Sequence, residues 1–396
     1  MSDTAINKII QYGTAAARAA FTPSPAAGSQ VLYLWYDTDA APDIYAWDGS
    51  AWVQLNAGGG GSVSTTGSPT SGQLAQFSGA SSITGINCAI TPQGRLTLTT
   101  ATPWLTANAT AQTTVYYTPA VGNCVPVYDG TDWQIVPFTE LSQATTDSTK
   151  SPAACTTNSN YDLFVWSDGG TLRCTRGPAW SSDTARGTGA GTTELEYVNG
   201  ILMNKIAITN GPGADRGVYV GTIRTNGSSQ VDMIFGGSGA AGGESTILGI
   251  WNMYNQKLIT LQNFDNTDNW TYTTDTWRIK NNNNANKISF INGWKMNGIE
   301  AFNLIAGGNS TVNIAQKNAM GLNSTSAVAT ACVVAVSRSP NAGGGHSSCS
   351  TFRQMAPLGF NYVAPLERSA ATGTSTWYGA SVSLEYSSLF VLTTMF

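Results

Sequence analysis

The side chains able to carry out chemistry in this chain are few, and they are widely spaced. Histidine occurs once, at His346. A Ser-His-Asp triad, a histidine-rich zinc site or a histidine acid–base pair would each need that one residue. The stretch 341–349 around it contains three consecutive glycines, which predicts a flexible loop with a solvated imidazole. Histidine-based catalysis is therefore not expected.

Carboxylates offer a second route to catalysis, because two of them can hydrolyse a glycosidic bond when their separation is right. Glu194 and Glu196 are two residues apart, so a strand would place both on one face. Asp265 is a third candidate, but a solvated strand face is the simpler interpretation of the glutamate pair. An EF-hand starting at Asp37 fails because proline stands where the loop needs glycine. We predict no catalytic residue and no metal site.

The six cysteines indicate neither a metal centre nor a disulfide framework. They include no CxxC pair, and their spacing is too wide for a zinc ribbon. We expect buried free thiols. Cys332 and Cys349 would face each other if a hairpin joined them, and the sequence leaves that pairing open.

Aromatic residues are densest where they alternate with Asn and Asp. In a strand Trp270 and Tyr272 would share a face, and flat rings beside amides suit sugar rings. The alternative is that these rings form core or subunit interface, which is the commoner use of buried aromatics. We predict a carbohydrate-facing surface formed by Trp270, Tyr272 and Trp277 and keep the alternative open.

Composition excludes several classes of protein. Charged residues make up 11% of the 396, against roughly 25% in an ordinary soluble protein, and aromatics make up 10%. So few charged residues and so many aromatic residues are typical neither of a disordered chain nor of a coiled coil. A net charge of −4 gives no reason to expect nucleic-acid binding. We expect no membrane insertion and no export signal, because no apolar run approaches ~18 residues and the start lacks a basic segment before an apolar one.

One helix is predicted, over residues 2–21. Ser2 or Asp3 would cap it, isoleucines recur at helical spacing, and Pro23 would stop it. A single short helix cannot bury its own apolar stripe. It must pack on the rest of the chain, on copies of itself or on a partner.

The remainder predicts a mostly β fold. Asp-Gly turns stand between aromatic strands at Asp48, Asp129 and Asp168, the strongest short-range signal for hairpins. Residues 57–85 have linker composition, and from residue 86 the pattern is strands and turns, with 244–254 as the one further helix candidate. We predict an anchor at 1–56, a Gly/Ser-rich linker or stalk at 57–100, a hairpin module at 101–189 and an antiparallel sandwich or jelly-roll-like distal domain at 190–396.

Three stretches resemble tailed-bacteriophage fibres. They are the Tyr-Asp-Thr-Asp and Trp-Asp-Gly hairpin of 36–53, the phrase SGQLAQFSGASSITG at 71–85, and the module at 161–224. The resemblance covers about residues 30–230. It implies a homotrimer, attachment to the particle through the N-terminus and an exposed C-terminal region. It also implies location in the virion after assembly in the bacterial cytoplasm.

We therefore expect a tail fibre or receptor-binding fibre with no enzymatic activity and no cofactor. It would bind other virion proteins through residues 1–56 and contact a host surface glycan with its distal region. Two alternatives stay open. One is a head fibre without a receptor role, and the other is a tail spike that degrades polysaccharide.

Overall fold

The computed structural model describes residues 7–24, 31–39, 43–55, 64–66, 73–79, 82–380 and 388–396. The chain is mostly β, as predicted, and most strand pairs are antiparallel. Contacts divide it into two compact units, residues 1–69 with 75–86 and residues 70–74 with 87–396. No helix in the described ranges is long and apolar enough to cross a membrane.

The first unit contains the elements β1 (Asn7–Gly13), α1 (Ala15–Ala20), β2 (Val31–Asp37), β3 (Ile44–Trp47), β4 (Trp52–Gln54), β5 (Ser64–Thr66), β6 (Leu74–Gly79) and β7 (Ser82–Ile86). They form two small sheets, with strand orders β1-β2-β3-β4 and β5-β7-β6. The β3–β4 hairpin at Asp48-Gly49 is confirmed. The segment predicted as a linker therefore carries three short strands.

The predicted N-terminal helix is wrong over most of its described length. Residues 7–13 form β1, which pairs in parallel with β2, and only Ala15–Ala20 is helical, capped by Thr14. Ile9, Ile10 and Tyr12 favour extended backbone, and β2 supplies the hydrogen-bonding partner that makes a strand stable. The proposed caps Ser2 and Asp3 lie outside the described residues.

The second unit begins with short hairpins and a six-stranded sheet. Its first strands are β8 (Gly94–Thr97), β9 (Ala109–Gln112), β10 (Thr114–Pro119), β11 (Cys124–Tyr128), β12 (Trp133–Pro137), β13 (Leu141–Ala144), β14 (Asn160–Asp168), β15 (Thr171–Ala179), β16 (Leu195–Val198), β17 (Ile201–Asn204) and β18 (Val218–Arg224). The hairpins β11–β12 and β14–β15 confirm the two remaining Asp-Gly predictions.

Two larger sheets complete the unit. Their strands are β19 (Val231–Ile234), β20 (Thr246–Leu248), β21 (Ile250–Asn252), β22 (Leu258–Asn263), β23 (Asn269–Tyr272), β24 (Arg278–Ile279), β25 (Ile288–Asn292), β26 (Gly298–Asn309), β27 (Ala315–Leu322), β28 (Cys332–Val333), β29 (Ala335–Arg338), β30 (His346–Met355), β31 (Gly359–Arg368), β32 (Ser375–Tyr378) and β33 (Leu389–Met395). Short 3₁₀ turns occupy Lys280–Asn282 and Asn284–Asn286. The region 244–254, a helix candidate, forms β20 and β21 instead.

The eight-stranded sheet runs β29-β27-β31-β25-β20-β19-β9 with β24 beside β31, and the seven-stranded sheet runs β22-β33-β26-β30-β28 with β32 and β23 beyond β26. The two sheets share one apolar core, as in a β-sandwich. It includes Ile288, Phe290, Met320 and Val363 from the first sheet and Leu261, Ile299, Ala301, Phe352, Phe390 and Leu392 from the second.

The boundary expected at residue 189 falls inside this unit. Strand β14 pairs with β15 on one side and with β18 on the other, so one sheet spans the two segments. Arg186 reinforces the connection, because its buried guanidinium bonds both Asp162 carboxylate oxygens (2.6 and 3.1 Å) and the Gly293 carbonyl (2.6 Å). The boundary at residue 100 is crossed as well, since β8 pairs with β10.

Two further predictions concern single residues. His346 is the first residue of β30 and is half-buried, so the prediction of a solvated loop histidine is wrong. The strand reaches back to His346 because β30 pairs with β26 along its whole length, with His346 opposite Gly307. All six cysteines are free thiols, but only Cys155 and Cys174 are buried, so the expectation of buried thiols is wrong for the other four. Strand register places Cys332 opposite Phe352 and Cys349 opposite Leu304.

Candidate functional site

The residues predicted to face a sugar lie on β23, on β24 and between them. Trp270 pairs with Trp377 of β32 and is only 8% exposed. Its ring packs on Ile305 and Trp377, and Tyr272 packs against the same cluster. Trp270 and Tyr272 do share a face, but that face is directed inward. Trp270 therefore cannot present its ring to a ligand, and its predicted surface role is wrong.

Tyr272 and Trp277 remain half-buried at the surface, together with two arginines. The Arg278 guanidinium lies 3.7 Å from the centroid of the Tyr272 ring, and the Arg368 guanidinium lies 5.8 Å from that of Trp277. Arg368 also bonds Asp275 at 2.6 Å. We call these five residues the aromatic–arginine patch. Cation–π contact holds one face of Tyr272, so stacking by a sugar would use its other face or Trp277.

Glu367 lies directly beneath this patch and is fully buried. Register places it opposite Arg278, whose Nε and terminal nitrogen both approach Oε1 at 2.7 Å. The Trp270 indole N–H donates to Oε2 at 2.8 Å. Burial raises the pKa of Glu367 to about 7, and the charge of Arg278 opposes that rise. The carboxylate thus ties the buried indole to the surface arginine.

Lys280 is buried nearby, and its ammonium group is poorly compensated. Burial lowers the pKa of Lys280 to about 8, while the charges of Asp265 and Glu367 act to raise it. Within the described residues its Nζ has no hydrogen-bond partner. Asp265 is fully buried too, but accepts hydrogen bonds from Asn281 and Asn286 at 2.9 Å each. We call Asp265, Lys280 and Glu367 the buried ionisable cluster.

Sequence reasoning missed this cluster for an identifiable reason. Lys280 begins an asparagine-rich run, and such a run is typical of a solvated turn. Glu367 lies 87 positions further along the chain, so no local pattern connects the two residues. Asn281 and Asn282 adopt positive φ angles of 53° and 50°, which Asn tolerates better than most residues. That turn carries the Lys280 side chain inward. The only local signal was the asparagine pair, which favours left-handed backbone.

The three carboxylates considered for glycoside hydrolysis lie in different environments. Glu194 bonds Lys205 at 2.7 Å. Glu196 lies beside Asp215, whose hydrogen bond and charge raise the pKa of Glu196. Asp265 is held by amides out of contact with solvent. The described residues include no group of three acidic, histidine or cysteine side chains able to hold a metal ion.

A second surface lies on the outer face of the seven-stranded sheet. Along β26 the inward Ile299 and Ala301 are buried, while Glu300 and Phe302 are exposed. We define the outer sheet face as Leu258, Glu300, Phe302, Val333, Arg353 and Met355. Its four apolar side chains are between 42% and 65% exposed. A shallow depression of about 510 Å³ crosses it between β22 and β30.

The outer sheet face carries one acidic and one basic side chain. Glu300 and Arg353 stand directly opposite each other on β26 and β30. No ion pair joins them among the ion pairs of the described residues. Both charges are therefore available to another chain.

Comparison with known proteins gives no relative from which to transfer a role. No model of a known protein family matches the chain, and no curated protein matches it. Among solved structures, a Bacillus thuringiensis Cry1Da tryptic core variant aligns with 69% of this chain and 49% of its own, at 7% identity and a TM-score of 0.15. A score that low does not indicate a shared fold.

Alanine substitution should separate the buried ring from the surface ring. We expect Trp270→Ala to cost ~3–5 kcal/mol, because it empties a packed site and leaves Glu367 without its indole donor. Trp277→Ala removes a half-exposed ring and should cost much less. Thermal unfolding followed by circular dichroism measures both. Equal melting temperatures for the two variants would contradict this placement.

Proposed function

We propose that the chain is a virion structural protein of a bacteriophage, a fibre that attaches through residues 1–56 and presents its distal region to the host surface. The observation that carries the proposal is the outer sheet face. It exposes four large apolar side chains on a chain in which only 11% of residues are charged. Exposed apolar side chains grouped on one face of a sheet favour burial against another protein.

The partner that fits the outer sheet face is a second copy of the chain. The five strands β22, β33, β26, β30 and β28 contain only Glu300 and Arg353 as acidic or strongly basic residues. In a cyclic assembly Arg353 of one copy would meet Glu300 of the next, and each chain would use both charges. The resemblance of residues 30–230 to phage fibres favours three copies.

Within that assembly we assign host contact to the distal region. Tyr272 and Trp277 of the aromatic–arginine patch remain the proposed glycan contacts, with Trp270 as their buried support. A trimer would present three such patches and raise a weak single-site affinity through avidity. No enzymatic step is part of the proposal.

Deletion of residues 2–56 tests attachment. We expect the shortened chain to accumulate as folded protein but to be absent from purified particles, because residues 1–56 make the contacts with the virion. Immunoblotting of particles and circular dichroism of the purified variant give the two readouts. A particle map showing the N-terminus on the head would replace the tail-fibre role with a head-fibre role. Normal incorporation of the shortened chain would place the anchor elsewhere.

A further inference from the structure

A solvent-facing cleft of about 470 Å³ lies between two of the Asp-Gly hairpins, apart from the surfaces described above. The β11–β12 hairpin forms one wall, the end of β14 forms the other, and the loop before β18 closes one side. We call it the hairpin cleft. Its principal lining residues are Tyr128, Asp129, Gln134, Trp166, Ser167 and Arg216. The volume falls within the ~300–1,000 Å³ of ordinary small-molecule sites.

Both aromatic rings of the hairpin cleft are fixed by contacts with the protein. The Tyr128 ring packs on Trp133 with centroids 4.9 Å apart, and its hydroxyl donates to the Gly130 carbonyl at 3.0 Å. The Trp166 indole N–H donates to the Thr175 hydroxyl at 2.7 Å. These rings therefore keep their orientation without a ligand, which lowers the entropy cost of stacking on them.

Two charged groups of the hairpin cleft, the Asp129 carboxylate and the Arg216 guanidinium, retain hydrogen-bonding capacity for a ligand. Asp129 accepts the backbone N–H groups of Thr131 and Asp132 through Oδ1, each at 2.9 Å. Its Oδ2 has only a long 3.4 Å contact with Gln134. The Arg216 guanidinium lies 5.7 Å from the Tyr128 ring centroid and makes no side-chain hydrogen bond or ion pair within the described ranges. The cleft thus presents a hydrogen-bond acceptor, Asp129 Oδ2, and a hydrogen-bond donor, the Arg216 guanidinium, to the same ligand.

Charge and lining decide the class of ligand. An anion would meet the Asp129 carboxylate and a cation would meet Arg216, so the pair favours a neutral molecule. An apolar ligand would leave both charged groups without partners. A ring with C–H faces and many hydroxyls satisfies the aromatics, the carboxylate and the guanidinium together. We infer that the hairpin cleft binds a neutral hexopyranose unit of a glycan.

Binding here would hold whether or not the chain belongs to a virion, so it can fail independently of the proposed function. The test is saturation-transfer NMR on the full chain with glucose, galactose, mannose and N-acetylglucosamine, and with inorganic phosphate as an anionic probe. We expect saturation of at least one hexose, with a Kd that is roughly millimolar. Arg216→Ala should weaken that binding tenfold or more, since it deletes a donor with no structural hydrogen bond.

Arg173→Ala is the matched control, because it removes the same charge from β15 outside the cleft lining. It should leave hexose binding unchanged. A second variant, Gly213→Leu, fills the cleft from its closing loop and should abolish binding while the melting temperature stays near that of the wild type. Absence of signal from all four sugars, binding of phosphate instead, or undiminished sugar binding by Arg216→Ala and Gly213→Leu would each overturn the inference.

Discussion

Replacing Lys280 with methionine is expected to stabilise the protein at pH 7 by about 3 kcal/mol. Burial lowers the pKa of this ammonium from its ordinary value of 10.5 to about 8. At ~1.4 kcal/mol per pH unit, that difference is the free energy spent on keeping the group charged inside the protein. Methionine fills similar space without a charge, and Asp265 and Glu367 keep their other partners. The melting temperature should rise by roughly 5 °C.

The dependence on pH gives this prediction its sharpest form. Between about pH 8 and 10.5 the folded wild type has released the Lys280 proton while the unfolded chain still holds it. Wild-type stability therefore gains from this group as pH rises through that window, and the advantage of Lys280→Met shrinks. Glu367 affects stability over a lower pH range. Because burial raises its pKa from the ordinary value of 4.5 to about 7, its stabilising contribution is fully present below pH 4.5 and is lost as pH rises through 7.

Urea unfolding of wild type and Lys280→Met at pH 7 and pH 10.5 measures both effects. Lys295→Met is the control, because Lys295 is exposed and its loss should change little at either pH. A variant less stable than wild type at pH 7 would show that attraction to Asp265 and Glu367 outweighs the cost of burial.

The second large effect is expected in assembly. Light scattering of the wild type should give three times 41.5 kDa, and Arg353→Glu should reduce the mass to that of one chain. The substitution would place two carboxylates where Glu300 of one copy meets residue 353 of the next, and like charges at an interface cost several kcal/mol. Glu300→Arg should dissociate the assembly for the same reason, with two guanidinium groups.

Reversal of both charges is the control for this prediction. The double variant Glu300→Arg/Arg353→Glu restores opposite charges and should recover the wild-type mass. Mixing the two single variants should restore trimers only in part, because a ring of three cannot alternate two variants and always keeps one contact between like charges. A wild-type mass of 41.5 kDa that does not change with concentration would remove the interface altogether.

The parts of this structure that the sequence predicts are those whose cause is local. Asp129 and Gly130 specify their own hairpin, because the turn conformation depends on two adjacent residues. Ile9 and Ile10 misled the helix prediction because the parallel partner β2 begins more than twenty positions later, and no local pattern encodes it. Tertiary pairing outweighed the helical spacing there.

The candidate sites show the same division. Alternation correctly placed Trp270 and Tyr272 on one face, but it cannot say which face turns inward. Lys280 and Glu367 come together only because β24 pairs with β31, and Asp129 meets Arg216 only after β18 has folded onto β14. Chemistry assembled from distant strands leaves no mark in the spacing of residues.

The position of β33 in the seven-stranded sheet has a consequence for biosynthesis. This strand, Leu389–Met395, lies between β22 and β26, so the middle of the sheet is missing until the ribosome has passed residue 395. At ~5–20 residues per second, synthesis of residues 1–395 takes roughly 20–80 s. The outer sheet face cannot form before β33 has been synthesised. Nascent chains on neighbouring ribosomes would therefore be unable to associate through the outer sheet face until β33 has emerged and paired with β22 and β26.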